Sequence, residues 1–259
     1  MQPSISVIIP AYNEERRLLS TLESVYRYLK ERGAPFEILV VDDGSLDHTE
    51  DIVEDFGQGK DEVRLISYHP NRGKGYAVKL GMLSSQYELM LFDDADGSSA
   101  IDQLPPLEKA LQEGFDVAIG SRNLPEAGKK VQASASRKYI GNTFNVIVQS
   151  LLLPGINDTQ CGFKLFKRAS GTDIFSVSQL EGFAFDVELL YIARLRGYKV
   201  AEIAIDWTNV AGSKVNVMVD SPKMLLDVLS IATGAFLGRY KKLSTKQAQQ
   251  LGLQDQENS

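Results

Sequence analysis

The sequence contains very little cysteine, with Cys161 as the single example among 259 residues. One cysteine excludes an intramolecular disulfide and a cluster of thiolate metal ligands, so we expect a reduced, cytosol-facing compartment. A lone free cysteine of this kind is usually a small buried hydrophobe, and we expect the same of Cys161.

An excess of positive charge is also absent, because 28 Lys and Arg residues stand against 34 Asp and Glu residues, for a formal net charge of -6. This balance argues against a dedicated nucleic-acid-binding protein unless the basic residues are gathered in one place. They are partly gathered, since residues 121–138 hold five basic side chains and one acidic side chain. The basic ones are Arg122, Lys129, Lys130, Arg137 and Lys138.

No stretch of the sequence predicts a leader or a membrane span. The N-terminal residues MQPSISVIIPAYNEE lack a basic region, and Pro10 followed by charge interrupts the apolar run too early for a signal peptide. Residues 139–157 carry no charge, but they include polar residues, a proline and glycines. These residues make the transfer of the stretch into the hydrocarbon core of a membrane unfavourable. Export and membrane insertion are therefore not expected.

The uncharged stretch 139–157 nevertheless has the periodicity of an amphipathic helix. Its apolar residues follow the spacing i, i+3, i+4, i+7, i+8, which places them on one helix face. They are Phe144, Ile147, Val148, Leu151 and Leu152. This helix either packs on the core or lies in a membrane interface beside the basic cluster of 121–138.

Short apolar runs alternate with helix-period segments through the first half of the chain. The runs have strand length and aliphatic content, and lie at 5–9, 36–41, 63–67, 88–92 and 116–120. Strands separated by single helices form right-handed crossovers, which predicts an α/β fold with a doubly wound, parallel sheet. With 43% hydrophobic residues the chain can bury a sizeable core. We expect one domain over 1–240, followed by a polar, disordered tail over 241–259.

Three further elements are predicted in the second half. A loop runs into a strand within 158–166, a helix covers 183–198 and a strand covers 199–207. A last, amphipathic helix is expected to begin with Ser221 as its N-cap and Pro222 at its first position.

The ends of the predicted strands carry polar loops of unlike chemistry. In parallel sheets, ligands bind beyond the carboxyl ends of the strands, so we expect these loops to converge on one rim. The loops are PAYNEE (10–15), DDGS (42–45), NRGKG (71–75), DDADGSS (93–99) and GSR (120–122).

The aspartates of DDADGSS suggest a cation site. Carboxylates crowded at a strand end repel one another, and a divalent cation compensates that repulsion. Asp94 and Asp96 could face one Mg²⁺ or Mn²⁺, whose other positions would be filled by water and phosphate oxygens. An Asp-rich solvated turn would give the same pattern, and DDGS is equally compatible with an ordinary turn. Lys74 in NRGKG could face a phosphate, although the loop is not a Walker motif.

Taken in order, the five loops resemble those of the family 2 glycosyltransferases, over about residues 4–210. That resemblance implies a GT-A, Rossmann-like fold with a mostly parallel sheet flanked by helices. It implies that the first two loops hold the nucleotide base and that the DXD aspartates contact the ribose and a metal. The residues implied for the nucleotide sugar are Pro10, Tyr12, Glu14, Asp42, Asp43, Lys74, Asp94, Ala95 and Asp96, and those for the Mg²⁺ or Mn²⁺ are Asp94 and Asp96.

Downstream motifs narrow the resemblance. GSRN, SRKYIGNTFN, DTQCGFKLF and FAFDVELLYIA are similar to the branch that transfers a sugar to a lipid monophosphate. Dolichyl-phosphate β-glucosyltransferases and polyprenyl-phosphate mannose synthases belong to that branch. The resemblance implies that Arg122 and Arg137 hold phosphates and that Gln160 and Lys164 line the sugar or acceptor site. Asp186 is either an acceptor-positioning group or weak base, or simply a carboxylate favoured at a helix N-terminus.

The function implied is inverting transfer of a sugar, with glucose favoured, from a nucleotide diphosphate sugar such as UDP-glucose or GDP-mannose to a polyprenyl monophosphate. The enzyme would lie peripherally on the cytoplasmic face of a membrane, and the resemblance favours membrane docking for 121–157. It would bind no nucleic acid, and a membrane protein using the product would be a further partner. Three alternatives remain open: transfer to a saccharide hydroxyl, a nucleotidyltransferase that makes the donor, and a non-catalytic nucleotide-sugar-binding protein.

Overall fold

The computed structural model describes residues 2–124, 131–132, 148–208 and 217–241. Arg137, most of the basic cluster and nearly all of the tail from 241 lie outside the described residues. The expectations for them therefore remain predictions.

Nine strands are present in the described residues, and seven of them form one sheet. They are β1 (Ile5–Ala11), β2 (Phe36–Asp42), β3 (Val63–Ser67), β4 (Leu89–Asp93), β5 (Val117–Ser121), β6 (Val131–Gln132), β7 (Phe163–Lys167), β8 (Val200–Ala204) and β9 (Trp207–Thr208). The large sheet has the order β3-β2-β1-β4-β7-β5-β8, and β6 pairs with β9 in a separate two-stranded sheet. The strands predicted in the first half are all confirmed, with bounds that differ from the predicted ones by at most two residues.

Helices connect and flank these strands. They are α1 (Leu18–Arg32), α2 (Thr49–Gly57), α3 (Lys74–Ser84), α4 (Leu104–Gln112), α5 (Arg168–Val177), α6 (Phe185–Leu195) and α7 (Val217–Phe236), with a 3₁₀ turn at Ile101–Gln103. Gly33 ends α1 in the left-handed conformation, with φ of 71°, which glycine adopts without a steric penalty.

The predicted doubly wound, mostly parallel sheet is confirmed, with one exception in its middle. β1 pairs in parallel with β2 and β4, β2 with β3, and β5 with β8. β7 is antiparallel to both of its neighbours, β4 and β5. The mostly apolar run FKLF indicates a buried strand, but it does not indicate whether that strand is parallel or antiparallel to its neighbours. The insertion sets the start of β7 beside the end of β4, where Asp93 pairs with Phe163.

The sheet is covered on both faces, which explains why β1, β2, β4 and β5 are buried at every position rather than at alternate ones. On one face, Ile5, Val7 and Ile9 of β1 pack with α1. On the other face, Ile8 packs with α3 in a second hydrophobic cluster. This second cluster also contains residues of α5, α6 and α7.

The amphipathic helix predicted within 139–157 is described from residue 148 onward. Val148 and Leu152 are buried in the second cluster, whereas Leu151 is 58% exposed. The core-packing interpretation is therefore correct for Val148 and Leu152. Phe144 and Ile147 lie outside the described residues.

The start predicted for the last helix was wrong. α7 begins at Val217 rather than after Ser221, because the apolar residues ahead of Ser221 are themselves helical. Pro222 is therefore not at the first helical position. In its second half, Val228 and Ile231 are buried while Leu226, Leu229 and Phe236 are exposed, so α7 shows apolar side chains to solvent as well as to the core. Among the described residues, no helix is long and apolar enough to cross a membrane.

Candidate functional site

A cleft of about 360 Å³ lies over the carboxyl ends of β1, β2 and β4, within the size range of small-molecule sites. The structure brings eight of the sequence-predicted residues together in its lining. They are Pro10, Tyr12, Glu14, Asp43, Lys74, Asp94, Ala95 and Asp96. The lining also contains residues that the sequence analysis did not select, among them Arg17, Asn71, Gly182 and Phe183.

The two aspartates after β2 have different surroundings. Asp42 is fully buried and accepts hydrogen bonds from the backbone N–H of Ser45 at 3.2 Å and from its hydroxyl. Burial raises the pKa of Asp42, and the Ser45 hydrogen bonds oppose this. Asp42 is not among the residues that line the cleft.

Asp43 holds the glycine-containing loop 71–75 in place. Its Oδ1 accepts hydrogen bonds from the Tyr68 hydroxyl at 2.8 Å and the Arg72 N–H at 2.7 Å. Its Oδ2 accepts from the Asn71 side-chain amide at 2.9 Å and the Gly73 N–H at 2.8 Å. A carboxylate with four donors is firmly oriented, so Asp43 fixes the loop that leads into α3.

The three aspartates after β4 are also divided by burial. Asp93 is 1% exposed, and burial, followed by the charges of Asp94 and Asp96, raises its pKa well above the usual range. The side chains of Asp94 and Asp96 are 29% and 25% exposed and line the cleft. The negative charge available to a ligand is therefore that of Asp94 and Asp96.

Basic side chains partly balance these two carboxylates. Lys74 Nζ lies 2.6 Å from Asp94 Oδ1, and an Arg17 guanidinium nitrogen lies 3.8 Å from Asp96 Oδ2. Burial lowers the pKa of Lys74, but the charges of Asp94 and Asp186 outweigh it, so the pKa is raised and Lys74 stays charged. Asp94, Asp96, Lys74 and Arg17 thus form a cluster with charges of both signs, here called the acidic corner. Such a cluster is suited to a metal-bound diphosphate.

Arg17 was missed by the sequence analysis. Its Nε and one terminal nitrogen donate to the two Glu14 carboxylate oxygens at 2.7 and 2.5 Å. This two-point ion pair holds the guanidinium at the mouth of the acidic corner. The Glu14 and Arg17 spacing was visible in the sequence, but Arg16 was an equal candidate, and only the fold distinguishes the two.

The donor set of the cleft fits a divalent cation. In the part of the chain that the structure describes, no three His, Cys, Asp or Glu side chains are grouped to hold a metal. Asp94 and Asp96 are the partly exposed carboxylates available for it, and Mg²⁺ and Mn²⁺ are commonly held by one or two carboxylates plus phosphate oxygens and water. The protein side of such a site would consist of these two residues.

Gly162 allows the Asp94 carboxylate to lie where it does. The Asp94 N–H donates to the Gly162 carbonyl at 3.1 Å. A Cβ at position 162 would lie 2.0 Å from Asp94 Oδ2 and 2.2 Å from its carboxyl carbon, a distance that real atoms do not reach. The sequence could not show this contact, because it depends on the antiparallel insertion of β7 beside β4.

Lys164 and Asp186 form a buried ion pair next to the cleft rather than in its lining. Lys164 is fully buried, and its Nζ lies 2.5 Å from Asp186 Oδ1 and donates to the Cys161 carbonyl at 2.5 Å. Burial raises the pKa of Asp186, while the charges of Lys164 and Lys74 oppose the rise. The Asp186 carboxylate lies close enough to Lys74 to help raise the pKa of that lysine.

Arg122 is held by Asp158, which is fully buried. The guanidinium donates to both carboxylate oxygens, at 2.7 and 2.8 Å. Burial acts to raise the pKa of Asp158, but the Arg122 charge outweighs it, so the pKa is lowered. Gln160 lies beside this pair, with its N–H 3.3 Å from Asp158 Oδ1. None of these three residues lines the cleft.

Residues 6–175 match the protein-family model described as Glycosyl transferase family 2. Curated relatives cover most of the chain. Dolichyl-phosphate beta-glucosyltransferase of Mus musculus is 38% identical over 94% of this chain and 79% of its own length. The protein of the same name in Homo sapiens is 38% identical, over 93% of this chain and 79% of its own length. The one in Saccharomyces cerevisiae is 37% identical, over 92% of this chain and 76% of its own length.

Solved structures share the fold at lower identity. Glucosyl-3-phosphoglycerate synthase of Mycobacterium tuberculosis, in complex with Mn²⁺, UDP and phosphoglyceric acid, has a TM-score of 0.65 and 19% identity, covering 94% of this chain and 80% of that one. Mannosyl-3-phosphoglycerate synthase of Rubrobacter xylanophilus has a TM-score of 0.64 and 17% identity, covering 99% and 77%. These similarities support the GT-A fold.

Replacing Gly162 by alanine should displace Asp94 and weaken Mn²⁺-dependent binding of a nucleoside diphosphate. A loss of about tenfold in affinity, or about 1.4 kcal/mol, is expected, and isothermal titration calorimetry measures it. Gly57→Ala is the control, because a Cβ there meets only Val63 at ordinary distances of 3.7 Å and more. Equal affinities of the two variants would contradict the role given to Gly162.

Proposed function

This chain belongs to glycosyl transferase family 2, and from that premise we propose that it transfers glucose from UDP-glucose to a polyprenyl monophosphate of the dolichyl phosphate type. The observation that carries the proposal is the 38% identity to dolichyl-phosphate beta-glucosyltransferase over 94% of this chain. It is supported by the cleft, where Asp94, Asp96 and Lys74 meet at one end.

The donor occupies the cleft, with its diphosphate toward the acidic corner. Pro10, Tyr12 and Glu14 line the cleft, and we assign them to the nucleotide base. Asp43 fixes the loop 71–75, which supplies Lys74 at the start of α3. Lys74 and Arg17 then offer positive charge where negative charge grows on the leaving diphosphate, the main electrostatic demand of the reaction.

Asp94 and Asp96 would hold the Mg²⁺ or Mn²⁺ that this reaction class uses. When bound, the metal would neutralise charge on the diphosphate of the departing nucleotide. The protein prepares this position by keeping both carboxylates partly exposed, with Asp94 fixed against Gly162 and Asp96 Oδ1 accepting the Ser98 N–H at 2.9 Å.

The transfer itself is a substitution at the anomeric carbon. An oxygen of the acceptor phosphate forms a bond to that carbon from the face opposite the nucleotide, and the bond to the diphosphate oxygen breaks. The bonding electrons leave with UDP, and the configuration is inverted. A phosphate monoester has its second pKa near 6, so it is mostly a dianion at neutral pH and attacks without a base.

Arginine is the side chain best suited to such an acceptor, because its planar guanidinium matches phosphate oxygens. We assign phosphate binding to Arg122 and Arg137, and a sugar or acceptor contact to Gln160, whereas Lys164 is fully buried and serves the same site indirectly. Asp158 presents Arg122 by a two-point ion pair, and Lys164 acts from its buried position through Asp186. Arg137 lies outside the described residues.

Transfer to a saccharide hydroxyl is less well supported. Such an acceptor must lose a proton to a base, and the carboxylates that line the described cleft are engaged. Glu14 is paired with Arg17 and Asp43 accepts from four donors, while Asp94 and Asp96 are assigned to the metal. Asp186 is 4% exposed and paired with Lys164, which favours positioning over proton transfer.

A lipid acceptor implies work at a membrane surface, and we assign this chain to the cytoplasmic face as a peripheral protein. A membrane protein that uses the product would be a further partner. We propose that the end of α7 contacts lipid, since Phe236 and Leu237 are 92% and 76% exposed. Two exposed basic residues, Arg239 and Lys241, follow directly, and each basic residue gains about 1 kcal/mol near anionic lipid.

The reaction is tested by incubating the protein with radiolabelled UDP-glucose, dolichyl phosphate and Mn²⁺, followed by organic extraction. Label should enter the organic phase with the wild-type protein. Asp96→Asn should reduce the rate by about 100-fold, as for loss of a key electrostatic group. Asp186→Asn should retain more activity, because a phosphate acceptor needs no base.

Three results of this assay would count against the proposal. Label that enters a water-soluble saccharide when oligosaccharides are added, but does not enter the organic phase with dolichyl phosphate, would indicate a hydroxyl acceptor. The absence of any transfer would favour a binding protein. Equal loss of activity in Asp96→Asn and Asp186→Asn would contradict the base-free mechanism, and circular dichroism of both variants serves as the folding control.

Lipid contact by α7 is tested by sedimentation with vesicles of phosphatidylserine and phosphatidylcholine. The double variant Phe236→Ala, Leu237→Ala should bind vesicles several-fold more weakly than the wild-type protein, because it loses exposed apolar area. Leu19→Ala is the control, since Leu19 is 44% exposed on α1, which packs on the other face of the sheet. Unchanged binding of the double variant would refute the contact.

A further inference from the structure

One wall of the cleft is formed by residues 178–183, the cleft-wall segment, which joins α5 to α6. It supplies Gly182 and Phe183 to the lining. It also lies against the loop that Asp43 holds, because the Gly75 N–H donates to the Glu181 carbonyl at 2.8 Å. A Cβ at Gly73 would lie 2.5 Å from that same carbonyl oxygen. A shift of the cleft-wall segment would therefore move the start of α3 and Lys74.

The backbone of the cleft-wall segment is held by the side chain of Glu188. Glu188 Oε2 accepts hydrogen bonds from the Gln179 N–H at 2.9 Å and the Leu180 N–H at 2.8 Å. Lys79 adds a third bond, from its Nζ to the Ser178 carbonyl at 2.6 Å. Glu188 is fully buried, so its hydrogen bonds are not exchanged for bonds to bulk water.

The other Glu188 oxygen is bound by a residue from the C-terminal end of the described chain. Oε1 accepts a hydrogen bond from the Tyr240 hydroxyl at 2.9 Å, and Tyr240 is 6% exposed in the turn after α7. Burial raises the pKa of Glu188, and the two backbone N–H groups and Tyr240 oppose the rise. One carboxylate thus joins the cleft-wall segment to the end of α7.

Neither Glu188 nor Tyr240 lines the cleft, and the mechanism does not use them. We propose that both are positioning residues for donor binding: Glu188 fixes the cleft-wall segment against loop 71–75, and Tyr240 orients Glu188. The proposal deepens the proposed function, on which it rests for the assignment of the cleft to a nucleoside diphosphate. Loss of either contact should loosen the wall and lower the affinity for UDP, with little change in the chemistry of transfer.

The test measures UDP binding in the presence of Mn²⁺ by isothermal titration calorimetry. Glu188→Ala should weaken binding about tenfold, and Tyr240→Phe about threefold, equal to about 0.7 kcal/mol and typical of one hydrogen bond. Glu188→Gln should restore binding to within about twofold of wild type, because the amide oxygen accepts the two N–H groups and its nitrogen donates to Tyr240.

Tyr198 provides a matched control for Tyr240→Phe. Its hydroxyl donates to Asp173 Oδ2 at 3.0 Å, and burial, followed by the Asp173 charge, raises the pKa of Tyr198 to about 12. This pair has the same chemistry, but neither member lines the cleft that the described residues form. Tyr198→Phe should lower the melting temperature by an amount similar to Tyr240→Phe and leave UDP affinity unchanged.

The outcomes separate this inference from the proposed reaction. Equal UDP affinity of Tyr240→Phe and wild type, or equal weakening by Tyr198→Phe and Tyr240→Phe, would overturn the positioning role. Should Glu188→Ala fail to fold, the comparison of Tyr240→Phe with Glu188→Gln and Tyr198→Phe still decides the question. Absence of transfer to dolichyl phosphate would contradict the reaction alone, because UDP binding is measured without acceptor.

Discussion

The repulsion among the carboxylates at the end of β4 is the constraint on which the site depends. Three aspartates within four positions would destabilise the fold if all were charged and equally exposed. The structure separates them, because Asp93 is buried with a raised pKa while Asp94 and Asp96 face the cleft. Lys74 and Arg17 balance part of the remaining charge. The rest is available to attract a divalent cation with its diphosphate.

The sequence was sufficient to predict the fold class and the rim of the sheet. Apolar runs of strand length, separated by helix-period segments, predicted that β1 to β4 form a parallel sheet, and the rule for strand ends predicted that their loops converge. Eight predicted residues line one cleft for this reason. Motif chemistry and family resemblance selected Asp94 and Asp96, and the comparisons confirm the family.

What the sequence could not predict depends on contacts between distant segments. The antiparallel direction of β7 is invisible in an apolar run, and with it the need for glycine at position 162 beside Asp94. The pattern DDGS does not say that Asp43 lines the cleft while Asp42 does not. Arg17 could not be separated from Arg16. Lys164 was expected at the sugar or acceptor site, yet it is buried against Asp186, a pairing that only packing determines.

Residues that the structure describes form the proposed donor site, whereas the proposed acceptor follows from phosphate chemistry and from the similarity to known relatives. The central claim is that Asp94 and Asp96 hold a divalent cation that carries a nucleotide diphosphate. The most direct measurement is anomalous diffraction from crystals grown with Mn²⁺ and UDP. The account predicts a manganese peak in contact with Asp94 or Asp96 and a diphosphate beside Lys74. Nucleotide bound in the cleft with manganese absent from these carboxylates would contradict it.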